Sequence, residues 1–295
     1  MNSKSLNQKI NAYERLMRLD KPIGILLLLW PTLCALVIAG NGKPDWIIVL
    51  IFVTGTVLMR SAGCVMNDIA DSKYDGMVER TKNRPLVSKE VSKKEAYWLV
   101  VGLGLSALVL VCLLNKKTIY LSFAAMFLAA TYPLTKRFFA VPQAYLGIAF
   151  GIGIPMAFAA VTNHIPPVAW VLFVANIFWA IAYDTEYAMV DREDDLNIGI
   201  KSSAITFGQY DVVAIMFCYA TTLSLLALAG KMLHLSVIYF AGLGLATVVA
   251  SYHYRLIKNR EKTACFKAFQ HNNWFGFAVF LGLVAHYWLQ YAKPV

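Results

Sequence analysis

Nine apolar stretches, each close to the length that crosses a lipid bilayer, dominate this chain. A helix needs about 20 predominantly apolar residues to span the hydrocarbon core. Such stretches run near Ile23–Ala39, Trp46–Met66, Tyr97–Leu114, Ile119–Tyr132, Gln143–Val161, Val168–Tyr183, Val212–Ala229, Val237–Tyr254 and Trp274–Tyr291. The fourth is short and is interrupted by Pro133. In lipid the backbone must satisfy its own hydrogen bonds, so these stretches predict helices. The expected fold is all-α, a polytopic bundle of nine transmembrane helices. Residues 1–295 read as one membrane domain, because no linker or low-complexity tract divides them.

The first 21 residues carry Lys4, Lys9, Arg15, Arg18 and Lys21 but no apolar core with a small-residue cleavage site. They do not resemble a cleaved signal. Leu6, Ile10, Tyr13 and Met17 recur at helical spacing, which predicts an amphipathic helix on the membrane surface. Lys and Arg concentrate in the N-terminal segment and in alternate loops. By the positive-inside rule the N-terminus is then cytoplasmic and, after nine crossings, the C-terminus is outside. The net charge of +10 is therefore mostly topology, and no large soluble basic region exists to bind nucleic acid. Five cysteines without a C-x-x-C pair read as apolar packing, and five scattered histidines lack H-E-x-x-H. Zinc and haem have no support.

Against this background the acidic residues are conspicuous. Ten of the 17 fall in two segments at the ends of spans. One reads N-D-I-A-D-S-K-Y-D and holds Asn67, Asp68, Asp71 and Asp75, with Glu79 just beyond. The other, Y-D-T-E-Y-A-M-V-D-R-E-D-D, holds Asp184, Glu186, Asp191, Glu193, Asp194 and Asp195. Carboxylates beside lipid are expensive unless paired or metal-bound. If the second span continues as helix, Asp68, Asp71 and Asp75 share a face; if the sixth does, so do Asp184, Asp191 and Asp195. Like charges so placed repel unless a cation lies between them. Oxygen-only donors without Cys or His select a hard ion, and Mg²⁺ suits them because it bridges readily to substrate phosphates.

Cations surround these clusters: Arg18 and Lys21 before the first span, Arg80, Lys82 and Arg84 in R-T-K-N-R-P, and Lys136 with Arg137 after the fourth. Carboxylates with Mg²⁺, plus Arg forks and Lys point charges, are what a diphosphate requires. Arg60 lies inside the second span, seven residues before Asn67. A deep Arg needs a partner: an anionic substrate group or a carboxylate of the bundle.

The segments M-R-L-D-K-P-I-G, M-R-S-A-G-C-V-M-N-D-I-A-D-S-K-Y-D, R-T-K-N-R-P-L and Y-A-M-V-D-R-E-D-D together resemble the UbiA superfamily of intramembrane aromatic prenyltransferases. The resemblance runs from about Arg18 to the last span. It implies a nine-helix bundle in the bacterial inner membrane, around a central cavity with a cytoplasmic-side cap and an opening sideways to membrane lipid, together with Mg²⁺ and a polyprenyl diphosphate donor. Within the superfamily the nearest likeness is to members acting on 4-hydroxybenzoate in ubiquinone biosynthesis. By motif position Asn67, Asp71 and Asp75 match one metal motif and Asp191 and Asp195 the other; Asp68 and Asp184 stand beside them as further candidate ligands. The resemblance then implies roles. Arg18, Lys21, Arg80, Arg84 and Lys136 would serve the diphosphate, and Arg60 and Arg137 would compete for the acceptor carboxylate. Tyr132, Tyr145 and Tyr183 would shield an allylic cation, and Asp191 would polarise the acceptor hydroxyl or take a proton.

Two other classes share fragments of this pattern. Asp75 to Arg80 superficially resembles the D-G-x-x-A-R opening of CDP-alcohol phosphatidyltransferases, but Glu79 replaces the Ala and the remaining motif is missing. A divalent-cation transporter would place ionisable groups near mid-membrane on a path open to both faces. Another aromatic acceptor is disfavoured by the resemblance alone.

Overall fold

The computed structural model describes residues 3–72, 75–77 and 81–292. Every regular element among them is helical. A short α1 (Ser3–Leu16) precedes α2 (Ile23–Ala39), α3 (Trp46–Asp71), α4 (Lys93–Val111) and α5 (Lys116–Thr135). There follow α6 (Pro142–Gly151), α7 (Gly153–Thr162), α8 (Pro167–Ile198), a brief α9 (Ser203–Phe207), α10 (Asp211–Met232), α11 (Val237–Ile257) and α12 (Lys262–Ala292). Eight helical stretches are long and apolar enough to cross a membrane, and α2 is a shorter apolar ninth. The all-α, nine-crossing expectation stands, and the protein is an integral membrane protein.

Local chemistry explains the boundaries. Asp45 caps α3 by accepting from Ile47 N at 2.8 Å. Ser92 and Glu95 form a reciprocal capping box on α4. The fifth span is two helices that meet at Ile152. Pro155 has no N–H to donate, and its ring crowds the preceding turn, so an unbroken helix is disfavoured there. Gly147 on α6 lies against α8; a Cβ there would stand 2.8 Å from Ile177 Cα.

Two helices differ from expectation. α8 does not stop near Tyr183 but runs on to Ile198, so all acids of the second motif ride one helix. α3 ends at Asp71, and Asp75 sits instead in a 3₁₀ turn, Asp75–Met77. Asp75 is therefore not on the α3 face with Asp68 and Asp71.

The main core lies where α8, α10, α11 and α12 pack together with α2 and α7. α4 and α5 form a looser flank and bury little of their own surface. α1 packs through Ala12 and Leu16, with Tyr13 and Met17, onto Val65, Val91 and Ala96. Ile10 is 54% exposed, so the buried stripe is rotated from the one expected; the side chain of Leu6 lies outside the described residues. Ion pairs of Lys9 with Glu95 and Arg15 with Glu90 pin α1 to the start of α4 and the turn before it.

Candidate active site

A chamber of about 1270 Å³ opens between α2, α3, α4, α5, α6 and α8. α3 and the turn after it deliver Asn67, Asp68, Asp71 and Asp75 to its wall. α8 delivers Asp184, Asp191 and Asp195, whose spacing of seven and four residues keeps them on one stripe. The two motifs thus share one cavity, at one end of the bundle. Toward the other end the lining becomes apolar, with Val101, Leu105 and Leu108 of α4 and Phe123 and Met126 of α5.

Cations hold the first motif. Arg18 donates to both oxygens of Asp68, at 2.9 and 3.1 Å. Arg84 Nη1 reaches Asp68 at 3.0 Å and both oxygens of Asp75 at 2.9 and 2.7 Å. Lys136 Nζ stands 3.8 Å from Asp71. Burial pushes the Asp75 carboxyl above the usual range, and Arg84 pulls it back. Among the described residues no three of the acids, His or Cys are grouped closely enough, as they stand, to enclose an ion by themselves.

Unpaired polar atoms supply the test of fit. Among the described residues six buried side-chain polar atoms lack a hydrogen-bond partner. Four belong to residues that line this chamber: Arg60 Nε, Asn67 Oδ1, Tyr183 OH and Ser202 Oγ. An orphaned buried polar group costs about 1–3 kcal/mol, so such a concentration marks a place where a ligand completes the bonding. Asn67 Oδ1, between aspartates, is a hard oxygen donor suited to a divalent cation. The donor set therefore fits Mg²⁺.

Arg18, Lys21, Arg60, Arg84, Tyr132 and Lys136 line the chamber as expected, and Tyr183 joins them. Arg60 lies over the Phe150 ring, 5.5 Å from its centre. Gly24 makes room for it: a Cβ there would stand 2.6 Å from the guanidinium. Arg137 is different. It is exposed and absent from the lining, because α5 ends at Thr135 and the two residues after it turn to different sides. The structure therefore does not bring Arg137 to the wall of this chamber. Tyr145 is also off the wall, its hydroxyl paired with Thr131. Arg80 and Glu79 lie outside the described residues. Gln143, Lys201, Ser202 and Lys262 line the chamber but were not expected there. The one available signal was that Lys201 and Ser202 follow the helix-ending Gly199 just after the second motif.

Behind α8 lies a second polar cluster that the sequence had merged with the first. Glu186, two residues from Asp184, faces the opposite way and is 0% exposed. Asn272 Nδ2 donates to Glu186 Oε2 at 2.8 Å, and the Tyr219 hydroxyl stands 3.0 Å from Glu186 Oε1. That hydroxyl also lies 2.8 Å from His253 Nδ1 and 2.8 Å from Asn272 Oδ1. Trp179 Nε1 donates to Asn272 Oδ1 at 2.9 Å. The cluster ties α8 to α10, α11 and α12.

Comparison with known proteins agrees with this geometry. Residues 28–284 match the model of the UbiA prenyltransferase family. The chain is 62% identical over 285 residues to the 4-hydroxybenzoate octaprenyltransferase of Methylobacillus flagellatus, covering 97% of this chain and 96% of that one. Its fold is similar to that of a UbiA homologue from Aeropyrum pernix K1, with a TM-score of 0.77 at 23% identity over 88% of this chain and 97% of that one. It is also similar to a UbiA homologue from Archaeoglobus fulgidus bound to GPP and Mg²⁺, with a TM-score of 0.70 at 18% identity over 96% of this chain and all of that one.

Proposed function

The chain belongs to the UbiA prenyltransferase family, and from that premise we propose how its chamber works. The enzyme is an aromatic prenyltransferase of ubiquinone biosynthesis. It transfers a polyprenyl group from polyprenyl diphosphate to the carbon ortho to the hydroxyl of 4-hydroxybenzoate and releases diphosphate. The observation that carries this reading is the sharing of one chamber by both acidic motifs, with an apolar extension beyond them. Such a chamber suits a diphosphate, held through Mg²⁺ and basic side chains, at one end and a hydrocarbon tail at the other.

Asn67, Asp71 and Asp75, with Asp191 and Asp195, would hold Mg²⁺, and Asp184 stands on the same wall of α8. Bound there, the ion supplies Lewis-acid stabilisation to the departing diphosphate oxygens. Asp68 serves more through its two arginines. It is 1% exposed and fixes Arg18 and Arg84 at the rim, where their guanidinium groups can face phosphate oxygens. Lys21 and Lys136 add point charges, and Arg80 belongs to the same basic set by its place in sequence.

Arg60 binds the acceptor carboxylate. It lies seven residues below Asn67 along α3, about 10 Å at the helical rise, which separates the acceptor anion from the diphosphate. Tyr132 and Tyr183 line the space between and shield the allylic cation with their ring faces. The C–O bond breaks with its electron pair leaving on the diphosphate. The ring carbon then bonds to the allylic carbon, and the ring loses a proton to restore aromaticity. Asp191 is the candidate to polarise the phenol or receive that proton. The apolar walls exclude water that would quench the cation.

Residues 1–295 act as one transmembrane unit in the bacterial inner membrane. The acidic end faces the cytoplasm with the N-terminus, and the C-terminus is periplasmic, as the Lys and Arg distribution requires. The test is turnover of labelled 4-hydroxybenzoate by membranes given a ladder of prenyl diphosphates, with EDTA and with Mg²⁺ restored. Prenylated product that requires both substrates and Mg²⁺ is expected; its absence at every chain length would overturn the reading.

A further inference from the structure

The strongest unassigned feature of the chamber is the hydroxyl of Ser202. Ser202 is 3% exposed, lines the chamber, and its Oγ has no hydrogen-bond partner. It occupies the residue before α9, where a serine hydroxyl ordinarily caps the helix, yet it makes no capping bond. Its flanks are held firmly. On one side Lys201 N donates to Lys136 O at 3.0 Å, and Lys201 Nζ donates to Phe138 O at 3.2 Å. On the other, Ser203 N donates to Gln143 Oε1 at 2.9 Å, and Ser203 Oγ lies 2.6 Å from Thr185 Oγ1. The backbone around Ser202 is therefore stitched to the α5–α6 turn and to α8, while its buried hydroxyl, on a residue of the chamber wall, lacks something to complete it.

The neighbours identify that something. The backbone clamp places Ser202 beside Lys136, whose ammonium reaches toward Asp71, and Lys201 lines the same wall. An ammonium group and a hydroxyl donor, at the acidic end of the chamber, suit a phosphate oxygen. The acceptor carboxylate has its cation deeper, at Arg60 on α3. We propose that Ser202 is a substrate-contacting residue that donates its hydroxyl to a diphosphate oxygen of the prenyl donor, with Lys136 supplying charge beside it. The proposal rests on the prenyltransferase reading above and extends it to a residue outside both acidic motifs.

The experiment uses the purified full-length protein in detergent with Mg²⁺ and geranyl S-thiolodiphosphate, an analogue whose sulfur linkage ionises slowly. Its dissociation constant is measured by calorimetry for wild type, Ser202→Ala and Ser202→Thr, beside the thermal midpoint of each. Loss of one hydrogen bond to a charged oxygen should weaken binding about 10-fold or more in Ser202→Ala. Ser202→Thr, which keeps a hydroxyl, should recover most of it. In turnover, KM for the diphosphate should rise while KM for 4-hydroxybenzoate stays. Wild-type affinity in Ser202→Ala would overturn the proposal, as would equal weakening in both variants, or a rise confined to the acceptor KM. Failure of the wild type to prenylate 4-hydroxybenzoate at all would instead strike the functional reading beneath it.

Discussion

α8 carries two polar regions on opposite faces, and they are built on opposite rules. On its rear face the carboxylate, phenol, amide and indole of Glu186, Tyr219, Asn272 and Trp179 find one another within hydrogen-bond distance. On its front face the Tyr183 hydroxyl is unpartnered, as are Asn67 Oδ1, Arg60 Nε and Ser202 Oγ, all on residues lining the same cavity. Both regions lie among apolar helices, where an unmet polar group is costly. A satisfied cluster spends its bonds on holding helices together. An unsatisfied one keeps them for a molecule that comes and goes.

The sharpest attempt to break this contrast is to remove front-face acids. Asp71→Ala or Asp191→Ala should lower kcat by about 10³-fold or more, as loss of electrostatic stabilisation does. The protein should still insert and elute as wild type, which detergent chromatography checks. Full activity in either would remove that residue from the metal site. Next, Arg60→Ala should raise the 4-hydroxybenzoate KM by roughly 10–100-fold with the diphosphate KM unchanged, since it deletes a charge-assisted bond. An unchanged KM with lost folding would instead make Arg60 structural. On the rear face, Glu186→Ala strands Tyr219 and Asn272 and should cost about 2–4 kcal/mol of stability. Its signature is a lowered thermal midpoint with both KM values intact in the protein that remains folded. A selective rise in either KM would blur the distinction between the faces. Smallest is Gly24→Ala, whose added methyl must push the Arg60 guanidinium aside. A several-fold rise in acceptor KM is expected, on the scale of a small displacement of a binding group.

The contrast also marks how far the residues could be read in advance. Membrane-length apolar runs and acids at i, i+3, i+7 and i+11 are one-dimensional periodicities, so the bundle and the stripe of Asp184, Asp191 and Asp195 were legible. Direction around a helix is harder at its ends. Lys136 and Arg137 are adjacent basic residues, and only the stop of α5 at Thr135 decides that Lys136 lines the chamber while Arg137 does not. Asp75 kept its place at the site although α3 ended four residues earlier, because the following turn carries it back to Arg84. Glu186 stands in the second acidic segment, but helix rotation places it behind α8, away from the stripe of Asp184, Asp191 and Asp195. Ser202 left no periodic trace at all. Its position depends on bonds that its neighbours Lys201 and Ser203 make to Lys136 and Gln143, some 60 residues away in sequence.

α8 has 32 residues, about 48 Å at the helical rise, against a hydrocarbon thickness of about 30 Å. Its last turns, with Asp191 and Asp195, therefore stand beyond the oil. Of the two products, the inorganic diphosphate dissolves in water and the enlarged aromatic in the bilayer. Each drifts into a phase the other cannot enter, so partition itself discourages the reverse reaction without any moving part.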